Sequence, residues 1–192
     1  MTAKNKFDQQ VIATTLMGCV QETFRTMCHI EFEEQPDFQE KEIIEYNSRM
    51  RAFGLEKFEG PCYVSIIYFY LNQKDFKAER ANGALALFIE DSISQTLLHS
   101  LGHRSLNEDD KSIVMDTCGE FANVVAGQFK NELQNFGYVD VIISAPKTYI
   151  NDVPEGINFN FDELKYYEMC FYLKKTKALV IDITMGPVPL KA

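Results

Sequence analysis

Three polar side chains share one face of a long helix predicted in the second half of the chain. Asp116, Glu120 and Asn123 stand at positions i, i+4 and i+7 of the stretch "DTCGEFANVVAGQF". A helix advances about 100° per residue, so this spacing brings the three to the same side. Glu120 and Asn123 are i, i+3 neighbours with Cβ atoms about 5–6 Å apart. A carboxylate pairs with a cation and an amide both donates and accepts hydrogen bonds, so the pair is suited to project into a polar partner.

Two glycines accompany these polar residues. Gly127 falls on the same face and Gly119 flanks it. An interior glycine costs a helix about 1 kcal/mol relative to alanine, which calls for a compensating role. A surface without bulky side chains lets another molecule come close. The interpretation is that both glycines clear space around Glu120 and Asn123. Two alternatives remain open: a merely solvated outer face, and glycines that serve close packing inside the protein.

The opposite side of this helix is apolar and must face the core. Its stripe has helical spacing and consists of Val114, Cys118, Phe121, Val125 and Phe129. The stretch "SLNE" fits a capping box, with Ser105 as N-cap and Glu108 three residues later. The predicted helix therefore runs from about residue 106 to Phe136 and stops at Gly137.

The rest of the chain must form the scaffold that holds this helix. Residues 7–29 have helical periodicity, and 33–61 read as a connection with room for one short strand around Ile43–Tyr46. Residues 62–71 and 84–90 read as two strands of a hairpin with a long loop, followed by a helix over 92–102. The final elements are a strand over 138–150 that Pro146 interrupts near a sheet edge, a loop over 151–163, and two strands over 165–185 that turn near Lys175–Lys177.

This order of elements predicts an α+β protein with a largely antiparallel sheet and long helices packed on it. The 192 residues, 46% of them hydrophobic, suffice for one domain spanning 1–192 with a sizeable core. The net charge of −9 and the pI of about 4.9 argue against nucleic acid or an anionic membrane surface as partners.

The cysteines and the termini bear on the compartment. Five cysteines are spread along the chain without a C-x-x-C pair, which is typical of reduced, buried thiols in a cytosol. The N-terminus has no apolar core of the signal-peptide type, and no apolar run is long enough to span a membrane. A cytoplasmic protein is expected. The three histidines form no H-E-x-x-H motif, so no metal site is predicted.

The pattern D-x-x-x-E-x-x-N followed by "VVAG" resembles the signature of the chemotaxis phosphatases CheC, CheX and FliY. Asp116, Glu120 and Asn123 occupy its polar positions, and Gly127 matches its glycine. The stretches "GALALFIEDSISQTLLHSLG" and "VDVIISAP" resemble the family's elements on either side. CheC carries a second motif on its first helix, where this chain reads "GCVQETF". The chain is therefore most similar to CheX, with little resemblance in 33–61 and 151–163.

The resemblance implies a phosphatase that removes phosphate from the aspartyl phosphate of a CheY-type response regulator. Asn123 would orient the attacking water, Glu120 would pair with an active-site lysine of the regulator, and Asp116 would support docking. The regulator holds the Mg²⁺, so the resemblance implies no cofactor bound by this chain. It also implies a homodimer of the CheX kind. The alternative from a different class is a non-enzymatic module that binds a signalling partner without turnover.

Overall fold

An antiparallel sheet of seven strands forms the centre of the protein, and helices cover one of its faces. The structure is a computed structural model, and it describes residues 8–46, 49–51, 56–102, 111–152, 156–162 and 165–188. In chain order the elements are α1 (Gln9–Cys28), β1 (Asp37–Glu42), β2 (Ile44–Tyr46), β3 (Arg49–Arg51), β4 (Cys62–Tyr70), α2 (Gln73–Lys77), β5 (Gly83–Glu90), α3 (Asp91–Ser100), α4 (Lys111–Leu133), a 3-10 turn (Gln134–Phe136), β6 (Ile142–Ile143), β7 (Lys147–Ile150), β8 (Lys165–Leu173) and β9 (Thr176–Met185). The α+β class with a largely antiparallel sheet is confirmed.

The strands follow the order β1-β8-β9-β5-β4-β6, and β7 also pairs with β4. The hairpin of β4 and β5 is confirmed, with Cys62 opposite Glu90 and Phe69 opposite Gly83. Pro146 separates β6 from β7, and both lie at the sheet edge as predicted. A proline cannot donate to a ladder, so the break belongs at such an edge.

Alternating side chains of the strands build two cores. On the helical face, residues such as Ile67, Leu85 and Ile181 pack beneath α1, α3 and α4. On the second face, residues such as Val64, Phe88 and Val180 pack beneath Ile43, Phe58 and the segment 157–161. The two segments with little family resemblance, 33–61 and 151–163, thus contribute to the cover of the same face of the sheet.

The short strand predicted around Ile43–Tyr46 is confirmed as β2, but the prediction that the rest of residues 33–61 is a connection is wrong. This segment holds three strands: β2 and β3 pair with each other, and β1 pairs with β8 in the main sheet. The sequence of β1, "DFQEKE", is strongly charged and exposed along most of its length, as suits an edge strand. Such a strand has little of the apolar alternation that reveals most strands.

The turn of the closing hairpin lies one residue earlier than predicted. Lys174 and Lys175 form it, with φ angles of 49° and 64°. Both are exposed, whereas Lys177 is half-buried and its Nζ donates a hydrogen bond to the carbonyl oxygen of Lys57 at 2.8 Å. Lys177 therefore belongs to the contact between β9 and the segment around Lys57.

The five cysteines are free and buried, which confirms their prediction as reduced thiols inside the fold. Within the part of the chain that the structure describes, no helix is both long enough and apolar enough to cross a membrane.

Candidate functional site

Helix α4 lies on the sheet between α1 and β7. Its apolar stripe is fully inside: Val114, Cys118, Phe121, Val125 and Phe129 are all buried, as predicted. Phe121 stacks on Phe24 of α1 with ring centroids 4.9 Å apart, and Phe129 meets Phe69 of β4 edge-on at 5.7 Å. These aromatic contacts fix how the helix is rotated about its axis.

The C-terminal end of α4 is closed by local backbone geometry. The chain passes through the 3-10 turn to Gly137, whose φ of 89° lies in the left-handed region that glycine adopts without strain. Tyr138 follows and is buried, and its hydroxyl donates to the carbonyl oxygen of Gly186 at 2.7 Å. The predicted capping box at Ser105 and Glu108 lies outside the described residues.

The rotation of α4 presents the three predicted polar residues to solvent. Asp116, Glu120 and Asn123 are all exposed on its outer side. Within the residues that the structure describes, none of these side chains forms a hydrogen bond or an ion pair. A carboxylate and an amide so placed keep their bonding capacity for another molecule.

Gly127 lies on the same outer side, one turn beyond Asn123. Among the residues that the structure describes, a Cβ atom added at Gly127 would meet nothing within 4 Å. The alternative that this glycine serves packing inside the protein is therefore excluded. Because Gly127 has no side chain, nothing projects from the helix at this position next to Asn123. This part of the helix surface is termed the low surface.

Gly119 has a different role from the one predicted. It is buried, and a Cβ there would lie 3.3 Å from Thr148 Oγ1 and 3.5 Å from Pro146 Cγ. Gly119 therefore lets β7 pack against α4 and does not belong to the exposed face. The helical wheel placed it at the border between core and surface, and only the long-range contact with β7 decides its side.

The substitution Gly127→Leu tests the low surface. The helix should be no less stable, since leucine gains up to about 1 kcal/mol over glycine in helix propensity and the added Cβ meets open space. A partner that approaches Asn123 closely should lose most of its affinity. Thermal unfolding and titration with the partner measure the two effects.

Gly18 of α1 supplies the matched control, because a Cβ there also meets nothing within 4 Å. Gly18→Leu should change stability similarly and leave the partner's affinity unchanged. Unchanged affinity in Gly127→Leu would show that no partner approaches across this face.

The thiol of Cys118, on the buried side of α4, is unreactive. Cys118 faces the core, and burial raises the pKa of its thiol to about 12. It therefore stays protonated at neutral pH and is no nucleophile. Among the described residues, no group of three or more histidine, cysteine, aspartate or glutamate side chains is arranged to hold a metal ion.

Comparisons with known proteins find a family model that matches part of the chain and solved structures that share its fold. Residues 75–155 match the family model "Chemotaxis phosphatase CheX", a range that contains all of α4. The chain has the fold of CheX. The resemblance to the CheC, CheX and FliY proteins, inferred from the polar face of α4 and its flanking strands, is thereby confirmed. No curated protein is similar enough in sequence to count as a match.

Solved structures of CheX-type proteins superpose over nearly their whole length. CheX from Vibrio vulnificus is 16% identical, with a TM-score of 0.59, and the match covers 90% of this chain and 97% of that one. CheX in a complex with CheY, BeF3 and Mg²⁺ from Borrelia burgdorferi is 14% identical, with a TM-score of 0.59 and coverage of 91% and 97%. FliY from Thermotoga maritima is 16% identical, with a TM-score of 0.59 and coverage of 96% and 91%.

Proposed function

We propose that the protein is a CheX-type phosphatase that hydrolyses the aspartyl phosphate of a CheY-like response regulator. The observation that carries the proposal is the outer face of α4, where Glu120 and Asn123 are exposed, unpaired among the described residues, and flanked by the low surface at Gly127. The family match over 75–155 and the CheX–CheY complex of Borrelia burgdorferi support it.

To hydrolyse the aspartyl phosphate, the phosphatase has mainly to position the reacting groups and to stabilise charge in the transition state. A water molecule attacks the phosphorus in line with the aspartyl oxygen, the P–O bond to the carboxyl group breaks, and inorganic phosphate leaves. The Asn123 amide accepts a hydrogen bond from that water and stays neutral beside the phosphoryl oxygens. A carboxylate at this position would repel them.

Glu120 binds the partner through charge. Its carboxylate, one helical turn from Asn123, is placed to pair with a basic side chain of the regulator and so to fix the helix at one depth. Asp116 lies one further turn back and supports docking at the rim. In this proposal the regulator supplies the Mg²⁺.

A non-enzymatic interaction module is the second candidate, because a face that docks a regulator need not accelerate hydrolysis. The presence of both Glu120 and Asn123 on this face favours the enzyme, since binding alone requires no amide beside the phosphoryl group. Both candidates act in the cytoplasm, where response regulators are found.

The homodimer remains a prediction, and the sheet edges constrain it. One edge is β1, with Asp37, Glu40, Lys41 and Glu42 along it, and the other is the short, proline-interrupted pair of β6 and β7. Charges along an edge disfavour pairing with a second copy. The dimer therefore needs a contact other than simple continuation of the sheet at β1.

Light scattering at micromolar concentration tests the homodimer. A mass of about twice 22.1 kDa is expected. Glu42→Ala, at an exposed position of β1, should leave that mass unchanged, because β1 is outside the expected interface. A single mass near 22.1 kDa would rule out the dimer.

The direct experiment for the function is phosphate release from the response regulators encoded near this gene. Each regulator is phosphorylated with a small-molecule phosphodonor, the donor is removed, and phosphate is followed with and without the protein. Acceleration with at least one regulator supports the proposal, and no acceleration with any of them would leave only the interaction module.

A further inference from the structure

Three buried charged side chains and the partly exposed Lys41 meet on the second face of the sheet, far in sequence from the α4 site. Lys57 Nζ contacts Asp182 Oδ2 at 2.7 Å and also pairs with Glu168, and Lys41 Nζ lies 2.6 Å from Glu168 Oε1. The side chains of Lys57, Glu168 and Asp182 are 3%, 8% and 0% exposed. Burial of so many charges is costly unless they are paired, so the cluster holds its elements in one arrangement.

The cluster joins the segment 33–61 to the closing hairpin of the sheet. Both lysines belong to the segment 33–61, whereas both carboxylates belong to the closing hairpin of β8 and β9. Lys57 sits in residues 56–60, here termed the cover segment, and Phe58 of this segment packs on the second core. Lys177 adds its hydrogen bond to the carbonyl of Lys57. Lys57 is therefore the charged side chain that links the cover segment to β8 and β9.

The two carboxylates are not equally supported. Glu168 is shared between Lys41 and Lys57, whereas among the described residues Asp182 pairs with Lys57 alone, through Oδ2, and its Oδ1 has no hydrogen-bond partner. The β5 residues beside Asp182, Ala86 and Phe88, bring no charge. Among the described residues, the other titratable group at the cluster is Tyr166; burial raises its pKa to about 12, so it stays neutral.

We propose that this cluster is a proton-controlled latch: the cover segment closes tightly over the second face when Asp182 carries a proton, and loosens when Asp182 is ionised. In the closed state an ionised Asp182 is a second buried negative charge beside Glu168. The two carboxylates then share Lys57 as a counter-ion. When the segment opens, water reaches Asp182 and stabilises its charge. Ionisation therefore favours the open state.

The direction of the pKa shifts agrees with this geometry. Burial raises the pKa of Asp182 to about 7, although Lys57 acts in the opposite sense. A raised carboxyl pKa in the closed state means that closure binds a proton, so the stabilisation is fully present at low pH and is lost as the pH rises through about 7.

The other members titrate outside this window. Burial raises the pKa of Glu168, but its pairs with Lys41 and Lys57 outweigh burial and bring it below the ordinary value, so its contribution fades only in acid. Burial acts to lower the pKa of Lys57, but Asp182 and Glu168 outweigh it, and Lys57 stays charged. Between about pH 5 and 8 Asp182 is the member that changes charge.

A single tryptophan tests the latch, because the chain has none of its own. Phe58→Trp places it in the cover segment, and acrylamide, which is uncharged, reports its accessibility. We expect the quenching constant to rise several-fold from about pH 5.5 to about pH 8. In Phe58→Trp with Asp182→Asn the amide stands in for the protonated acid, and quenching should stay low at both pH values. Phe58→Trp with Asp162→Asn, an exposed position, should behave like Phe58→Trp alone.

Hydrogen exchange of the amides of the cover segment in the unaltered protein is the second measurement and does not depend on the tryptophan. After correction for intrinsic rates, their protection should fall about tenfold or more over the same pH range, with α4 as internal reference. Equal protection and equal quenching at both pH values, or a pH dependence that survives Asp182→Asn, would overturn the latch.

Discussion

Asn123→Ala is expected to reduce the rate of regulator dephosphorylation by about a hundredfold or more while the fold and the affinity for the regulator are kept. The side chain is exposed and, among the described residues, unpaired, so its removal leaves no cavity and no orphaned partner inside the protein. The loss falls on the transition state, because the amide positions the attacking water, and a misplaced reactant costs about 10²-fold.

Asn131→Ala is the matched control for this change. Asn131 is also an exposed asparagine of α4, near its C-terminal end and away from Glu120. Its replacement should leave turnover and thermal stability essentially unchanged. If Asn123→Ala retained full activity, Asn123 would have no part in orienting water, and the amide would be a contact residue at most.

Glu120→Ala is expected to weaken binding of the phosphorylated regulator by about tenfold or more. A hydrogen bond to a charged group contributes about 1.5–3 kcal/mol, and each 1.4 kcal/mol is about tenfold in affinity. Turnover at saturating regulator should fall as well, because the docking pair sets the depth of Asn123. Titration at several salt concentrations separates the two effects, since loss of the pair should also flatten the salt dependence.

Glu132→Ala, at an exposed acidic position near the end of the same helix, controls for the change in net charge. It should leave both affinity and turnover close to those of the unaltered protein. Unchanged affinity in Glu120→Ala would show that its carboxylate pairs with no basic group of the regulator, and Glu120 would then need another role.

The sequence predicted α4 well because one face of the helix is apolar and the opposite face is polar. The buried stripe and the exposed Asp116, Glu120 and Asn123 follow from helical spacing alone, and all of them lie where that spacing puts them. Gly119 and Gly127 could not be told apart this way. Whether a border position is buried depends on β7, which reaches α4 only in the folded chain.

The segment 33–61 was harder to predict because its stabilising contacts are long-range and polar. Strand β1 has little apolar alternation and is held by its pairing with β8. Asp182 did carry a signal, since it interrupts the apolar strand "ALVIDITM", and a charge in a buried strand requires a partner. That the partner is Lys57, 125 positions earlier in the chain, cannot be read from local pattern.

The outer face of α4 is proposed to dephosphorylate the regulator catalytically. The most direct test is the rate at which aspartyl phosphate disappears from the cognate regulator when the protein is present at a small fraction of the regulator's concentration. The proposed phosphatase predicts a rate that rises in proportion to the protein, with many regulator molecules dephosphorylated by each copy. A rate equal to the regulator's own autodephosphorylation, even where binding is measurable, would contradict it and assign the face to binding alone.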